Sequence, residues 1–237
     1  MNIFKFAILV ALGICLGCQT EQQRITDFIE TPITDNPRAH ENQEWTHSDA
    51  FNLRSHPNYP RALLVGDSIC NGYRMYAKDM LMKHKVTMTY WISSYCVTSP
   101  RFLRIFSFYL EEAKYDVIHF NNGLHSMPAR FEDWEKGFRA AIKLIRIKQP
   151  QAKIVWCNST PVKNEKRIAR VRELNALASR IVKEEGGIVE NDLFSLTDKC
   201  DHNNLWVDGV HFTEPVKEMQ AKRVTDIIVE QLGERVK

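Results

Sequence analysis

The longest apolar stretch of this sequence, Phe6 to Leu16, falls short of the roughly 20 residues that a helix resident in a bilayer needs. One sign of charge does not dominate either. Lys and Arg number 32 against 29 Asp and Glu, a net of +3, which is too mild for nucleic acid as a partner, because such binders concentrate positive charge. There is no internal repeat or low-complexity tract, so a repeat architecture is excluded. Cysteines are few. The four beyond the first 18 residues, Cys70, Cys96, Cys157 and Cys200, have no zinc-ligand spacing, and nothing else calls for a metal or another cofactor. They are read as buried free thiols or as disulfide partners of unspecified pairing.

What is present begins with a leader. Lys5 precedes the short apolar stretch, as in an export signal, and Cys15-Leu16-Gly17-Cys18-Gln19-Thr20 resembles the end of a bacterial lipoprotein signal, in which the cysteine behind a small residue is lipidated. Cys18 is the candidate, although Cys15 stands where such signals usually carry leucine. Residues 1–18 are thus expected to be a signal peptide of lipoprotein type and 19–58 a polar tether and leader arm. The folded domain is expected over 59–237. The mature protein is expected in the cell envelope, in the periplasm or on the cell surface, held to the membrane through the lipid if Cys18 is modified. Trp45, Phe51 and Leu53 are apolar enough to pack the arm onto the domain.

From Arg61 onward short apolar runs alternate with longer segments of helical period. Ala62–Val65, Val86–Ile92, Val117–Phe120, Ile154–Cys157 and Ile188–Val189 read as five buried strands. Trp134, Phe138, Ala141, Ile142 and Ile145 share one helical face, and Ile168, Val171, Leu174, Ala178, Ile181 and Val182 share another. A last helix is predicted from about Thr213, with Pro215 in its first turn. The alternation implies a mostly parallel sheet covered on both faces.

Ligands of such sheets sit beyond the carboxyl ends of the strands, and there the sequence places Gly66-Asp67-Ser68-Ile69. The next helix is predicted from Cys70 or Asn71, with its amino terminus beside Ser68. A serine hydroxyl needs a base and a group to orient that base before it acts as a nucleophile. Asp208-Gly209-Val210-His211, just before the last helix, supplies both. Ser68 is not in a Gly-x-Ser-x-Gly setting, which argues against the nucleophile elbow of the α/β-hydrolases.

With these motifs in order, the stretch from Arg61 to Arg235 resembles the SGNH (GDSL) hydrolase family. The resemblance implies a flavodoxin-like three-layer α/β/α sandwich with a mostly parallel five-stranded sheet. It implies Ser68 as nucleophile and oxyanion donor, His211 as base and Asp208 as its orienting acid. The family's third motif carries a glycine and, two residues on, an oxyanion-donating asparagine; here Gly123-Leu124-His125 stands at that point, similar to a Gly-Leu-His branch. His125 is therefore the expected donor and Asn122 the alternative. The second-motif glycine is missing from Ile92-Ser93-Ser94-Tyr95-Cys96-Val97, and the N–H of Ser94 is taken as its replacement. Ser159-Thr160-Pro161-Val162, Asn175 and Asn191-Asp192-Leu193 are also similar to that branch, while on their own they read as a turn, a solvent-facing amide and a helix cap.

Trp206 is expected either to meet substrate or to pack under the Asp208 loop. His119 reads as a buried strand residue. The basic segment Lys163–Arg172 reads as a solvated helix face, with binding of acidic sugars as the alternative. The resemblance implies a serine esterase, with O-acetyl groups on carbohydrates as the expected substrate. The alternatives are a lipid or lysophospholipid esterase of the same fold and a non-catalytic glycan-binding protein on a degenerate scaffold.

Overall fold

The computed structural model describes residues 44–51 and 54–236; the expectations for the signal peptide, Cys18, most of the tether and Leu53 lie outside the described residues. Six strands form one sheet: β1 (Thr46–Phe51), β2 (Arg61–Gly66), β3 (Thr87–Ser93), β4 (Val117–Phe120), β5 (Lys153–Cys157) and β6 (Ile188–Asn191). Their order is β1-β3-β2-β4-β5-β6. The five strands from β2 onward are parallel, and β1 alone runs antiparallel, at the edge beside β3. The expected five strands are therefore joined by a sixth. It comes from the arm, whose Thr46 and His47 pair with Ser93 and Ile92. Its residues are mostly exposed, so it lacks the apolar run that marks a strand buried on both faces.

The helices are α1 (Ser68–Lys83), α2 (Pro100–Glu112), α3 (Phe131–Lys148), α4 (Glu165–Glu185), the short α5 (Leu193–Asp198) and α6 (Glu214–Leu232). α6 packs against α1 and α5 on one face of the sheet, while α2, α3 and α4 form a row on the other. The result is a three-layer α/β/α sandwich. Period-2 alternation divides the core between its faces. Ala62, Leu64, Met88, Tyr90 and Ile92 belong to the cluster that also holds Val224 and Ile228 of α6. Toward α2 and α3 the core is aromatic, with Phe120 5.6 Å from Phe138, Phe138 4.6 Å from Trp156 and Trp91 5.1 Å from Phe102 between ring centroids. Each such side chain, fully buried, contributes roughly 1.5–3 kcal/mol through lost apolar surface.

Three details position the site. From β2 the chain moves to β3 on one side and then returns to β4 on the other, so the crevice beyond β2 and β4 is a topological switch point. Asp67 caps α1 by accepting the N–H of Ile69 on Oδ1 at 2.9 Å. The helix accordingly begins at Ser68, two or three residues before the predicted start. α6 follows Thr213 and has proline in its first turn, as the sequence predicts.

Candidate active site

Ser68 is the first residue of α1. Its N–H has no acceptor inside the helix, as at any helix start, and the positive end of the helix dipole lies beside it. Its Oγ is 2.8 Å from His211 Nε2, although 143 residues separate the two in sequence. His211 Nδ1 lies 2.6 Å from Asp208 Oδ2. Asp208 Oδ1 accepts the backbone N–H groups of Val210 and His211 at 2.9 and 2.8 Å. The His211 ring contact, followed by these backbone donors, holds the Asp208 carboxyl well below the usual carboxylate range. It is therefore an ionised, acceptor-only group at neutral pH. That fixes the imidazole: Nδ1 carries the proton toward Asp208, and Nε2 is left to accept the hydroxyl proton of Ser68.

The loop that carries the pair is shaped locally. Val207 N–H donates to the His211 carbonyl at 2.8 Å and Thr213 N–H to that of Leu205 at 3.1 Å, closing a small hairpin. Gly209 has φ of +87°, in the left-handed region that favours glycine. Its carbonyl accepts the N–H of Lys163 at 2.8 Å, which ties the loop to the segment after β5.

Around the proposed oxyanion position the structure corrects the expectation for Ser94 and gives Asn122 protein partners. Ser94 N–H donates to the Trp45 carbonyl at 3.0 Å and Ser94 Oγ accepts Trp45 N–H at 2.9 Å. The pairing of the arm with β3 continues one residue past the strand and uses the donor that Ser94 was expected to offer. Asn122 is occupied as well. Its Oδ1 accepts Val97 N–H at 3.0 Å and Ser126 Oγ–H at 2.6 Å, and its Nδ2 donates to the Tyr95 carbonyl at 2.7 Å. It is a strut between the loops after β3 and β4, with its Oδ1 and one amide N–H taken up by protein partners. His125 sits in the 3₁₀ turn Leu124–Ser126 after β4, half-buried, with its ring edge-on to Trp45 at 5.8 Å. Gly123 opens this turn because of close approach: a Cβ there would lie 1.5 Å from Ser159 Oγ and 2.8 Å from Ser159 Cβ.

No protein-family model and no curated protein matches the chain. Solved structures do. A carbohydrate esterase family 3 protein from Talaromyces cellulolyticus is similar at a TM-score of 0.59 and 14% identity, over 72% of this chain and 97% of that one. A member of the lipolytic G-D-S-L family from Veillonella parvula is similar at 0.60 and 16%, over 71% and 98%. A family two carbohydrate esterase from Clostridium thermocellum, in complex with cellohexaose, is similar at 0.57 and 15%, over 73% and 65%. The fold is that of the SGNH hydrolases.

Within that SGNH fold the remaining candidates fall into place. Trp206 packs under the triad loop, bridged to Phe212, with its ring 5.2 Å from His202; the neighbouring Val207, 71% exposed, is the apolar side chain that faces outward. Among the described residues Cys70, Cys96, Cys157 and Cys200 form no disulfide, and burial pushes the Cys70 thiol up to about 12, so Cys70 is a thiol rather than a thiolate at neutral pH. His119 is fully buried, as expected of a strand residue. Asn175 does not face solvent as a free amide: Oδ1 accepts Ser159 N–H at 2.9 Å and Nδ2 donates to the Ser159 carbonyl at 2.8 Å. Asp192 caps α5 through Ser195 N–H and also accepts Asn158 Nδ2–H.

Of this layer of buried amides, sequence reasoning named Asn122, Asn175 and Asn191 without their partners and missed Asn121 and Asn158. Asn121 Nδ2, for example, donates to the Cys157 carbonyl at 2.7 Å. The run of asparagines at strand ends, Asn121, Asn122, Asn158 and Asn191, was the signal: loops at buried strand ends need donors and acceptors that the sheet no longer supplies.

Proposed function

We propose that this protein is a serine ester hydrolase acting on O-acyl groups of carbohydrates, chiefly O-acetyl groups. The observation that carries the reading is the continuous chain Ser68 Oγ, His211 Nε2, His211 Nδ1, Asp208 Oδ2, with links of 2.8 and 2.6 Å. His211 takes the Ser68 proton as Oγ attacks the ester carbonyl. Asp208 holds the ring and stabilises the imidazolium. The tetrahedral oxyanion is stabilised by the N–H of Ser68 and the ring N–H of His125. His211 then protonates the departing sugar hydroxyl, leaving an acyl-Ser68, and in a second step takes a proton from water to release the carboxylic acid.

The surroundings support a short acyl group on a large, hydrophilic alcohol. A recess of about 180 Å³ beside Ser68 is bordered by Asn71, Lys217 and Gln220, which suits a small acyl group better than a long alkyl chain. The His211 and Asp208 side chains are 45% and 52% exposed, which leaves room for an oligosaccharide at the mouth. The likeness to carbohydrate esterases, one of them holding cellohexaose, favours the same substrate class. The test is turnover of 4-nitrophenyl acetate, a long-chain 4-nitrophenyl ester and acetylated oligosaccharides by the domain and its Ser68→Ala variant. Acetate release should fall on the order of 10⁶-fold in kcat without the hydroxyl. Faster turnover of the long-chain ester would favour a lipid esterase. Ser68-independent turnover would refute the Ser68 mechanism, and no turnover at all would leave the glycan-binding reading.

The leader motif supports placing this activity in the cell envelope. Incorporation of labelled fatty acid at Cys18, lost in Cys18→Ala, tests that assignment.

A further inference from the structure

The chain entering α4 and the helix's second turn are tied to the two loops of the candidate active site. Lys163 N–H holds the Gly209 carbonyl of the triad loop at 2.8 Å. Arg170 Nε and Nη2 donate to the carbonyls of Met127 and Ala129, just past His125, at 3.0 and 2.6 Å, and its guanidinium lies 3.6 Å from the centre of the Phe131 ring. Beside the Arg170 anchor a groove of about 370 Å³ opens, lined by Leu124, His125, Met127, Lys166, Arg167 and Arg170. Arg170 is occupied by its backbone contacts and by Glu173. Lys166 and Arg167 are different. Both are exposed, and among the described residues neither side chain has an ion-pair or hydrogen-bond partner. The arginines further along this layer are matched: Arg139, Arg146 and Arg180 all meet Glu135, Glu184 or Glu185.

Their position is also unfavourable for the helix. Asn164 caps α4 by accepting the Arg167 N–H, but Lys166 and Arg167 stand in its first turn, where the dipole disfavours cations and Glu165 is the one acidic neighbour against two. Local rules broken in this way concentrate where function compensates. The sequence alone favoured a solvated face for this segment, and the groove beside His125 changes that reading.

We infer that Lys166 and Arg167 form a subsite for an anionic group on the sugar, so that the substrate is an acylated acidic glycan carrying a carboxylate or a sulfate. This rests on the esterase reading above and names its substrate class. An ester carbonyl seated between Ser68 and His125 would place a neighbouring sugar residue along the groove, with its negative group within reach of the two free cations. Guanidinium and ammonium groups recognise either anion through charge-assisted hydrogen bonds.

The experiment compares kcat/KM on acetylated oligogalacturonide, an acetylated sulfated galactan oligosaccharide and acetylated neutral xylo-oligosaccharide, for the wild type and for K166Q/R167Q. The charged substrates should lead, and their advantage should shrink as NaCl rises from about 20 to 300 mM, because exposed charges are screened. The double variant should reduce the charged-to-neutral ratio between about 2- and 30-fold, mainly through KM. The charge-reversed K166E/R167E should invert it. Preference for the uronate over the sulfated substrate, or the reverse, identifies which anion is read. Equal kcat/KM on charged and neutral substrates, or a ratio unmoved in both variants, would overturn the inference while Ser68-dependent turnover of 4-nitrophenyl acetate leaves the esterase reading intact. Both variants remove exposed, unpaired side chains, so unchanged thermal melting serves as the folding control.

Discussion

His119 links the candidate site's scaffold to acid stability, and the link has a size. The ring is fully buried in β4, and Asn191 Nδ2 lies 3.0 Å from its Nε2. Asn191 Oδ1 accepts Arg223 Nε–H at 3.1 Å, and a guanidinium only donates. The amide orientation is thereby fixed, so Nδ2 must donate to His119 and Nε2 must be the unprotonated nitrogen. Adding a proton there would bury a charge and set two donors face to face. Burial lowers the His119 pKa from 6.5 to about 3. In the unfolded chain the imidazole binds a proton below about 6.5. The unfolded state therefore holds more protons than the native one between pH 6.5 and about 3, so stability rises with pH across that window and is lost as the pH drops. The slope approaches 1.4 kcal/mol per pH unit, which amounts to roughly 2–3 kcal/mol between pH 7 and 4.5. Carboxylates held low, such as Asp208, contribute stability above their unfolded pKa and lose it only as pH falls through their lower folded values. The His119 contribution is isolated by comparison with His119→Gln, which keeps an acceptor for Asn191 but cannot titrate. Urea unfolding at pH 7, 6, 5 and 4.5 should show the wild type losing roughly 2–3 kcal/mol more than the variant. Parallel curves would refute both the tautomer and the burial argument.

Three further outcomes test the site. Asp208→Asn preserves an acceptor for the Val210 and His211 N–H groups but permits the wrong imidazole tautomer; kcat on 4-nitrophenyl acetate should fall about 10⁴-fold with melting temperature little changed. Gly123→Ala should destabilise by about 1–3 kcal/mol or more through the overlap with Ser159, and the double variant with Ser159→Gly should recover much of that in a thermal or urea melt. His125→Ala, if the ring donates to the oxyanion, should lower kcat on the order of 10²–10³ with little effect on KM.

The parts of this fold legible in the sequence are those governed by strong, short-range signals. β2 and β4 are buried on both faces, so Ala62–Val65 and Val117–Phe120 read as uninterrupted apolar runs. The cap at Asp67 was legible in principle, since aspartate before a helix is a common cap, yet it shifts the start of α1 by two or three residues because Ser68 has no apolar periodicity to mark it. Ser68, Asp208 and His211 were legible as chemistry and as order along the chain; their 2.8 and 2.6 Å contacts depend on folding that brings residues 143 apart together.

The failure at Ser94 has a different origin. β1 is a polar edge strand whose residues alternate no apolar face, and its identity as a strand comes from pairing with β3. Such pairing is a tertiary fact, and strand preference itself follows context more than residue type. Once Trp45 occupies the Ser94 N–H, the expected second donor is gone, and the arm that removes it also places the Trp45 ring against His125. The same few residues thus take up the expected donor and pack against His125. A polar arm next to a strand end is therefore a reason to doubt any assignment of a free backbone donor there, because the N–H that the sequence shows as available is the one an added strand will take.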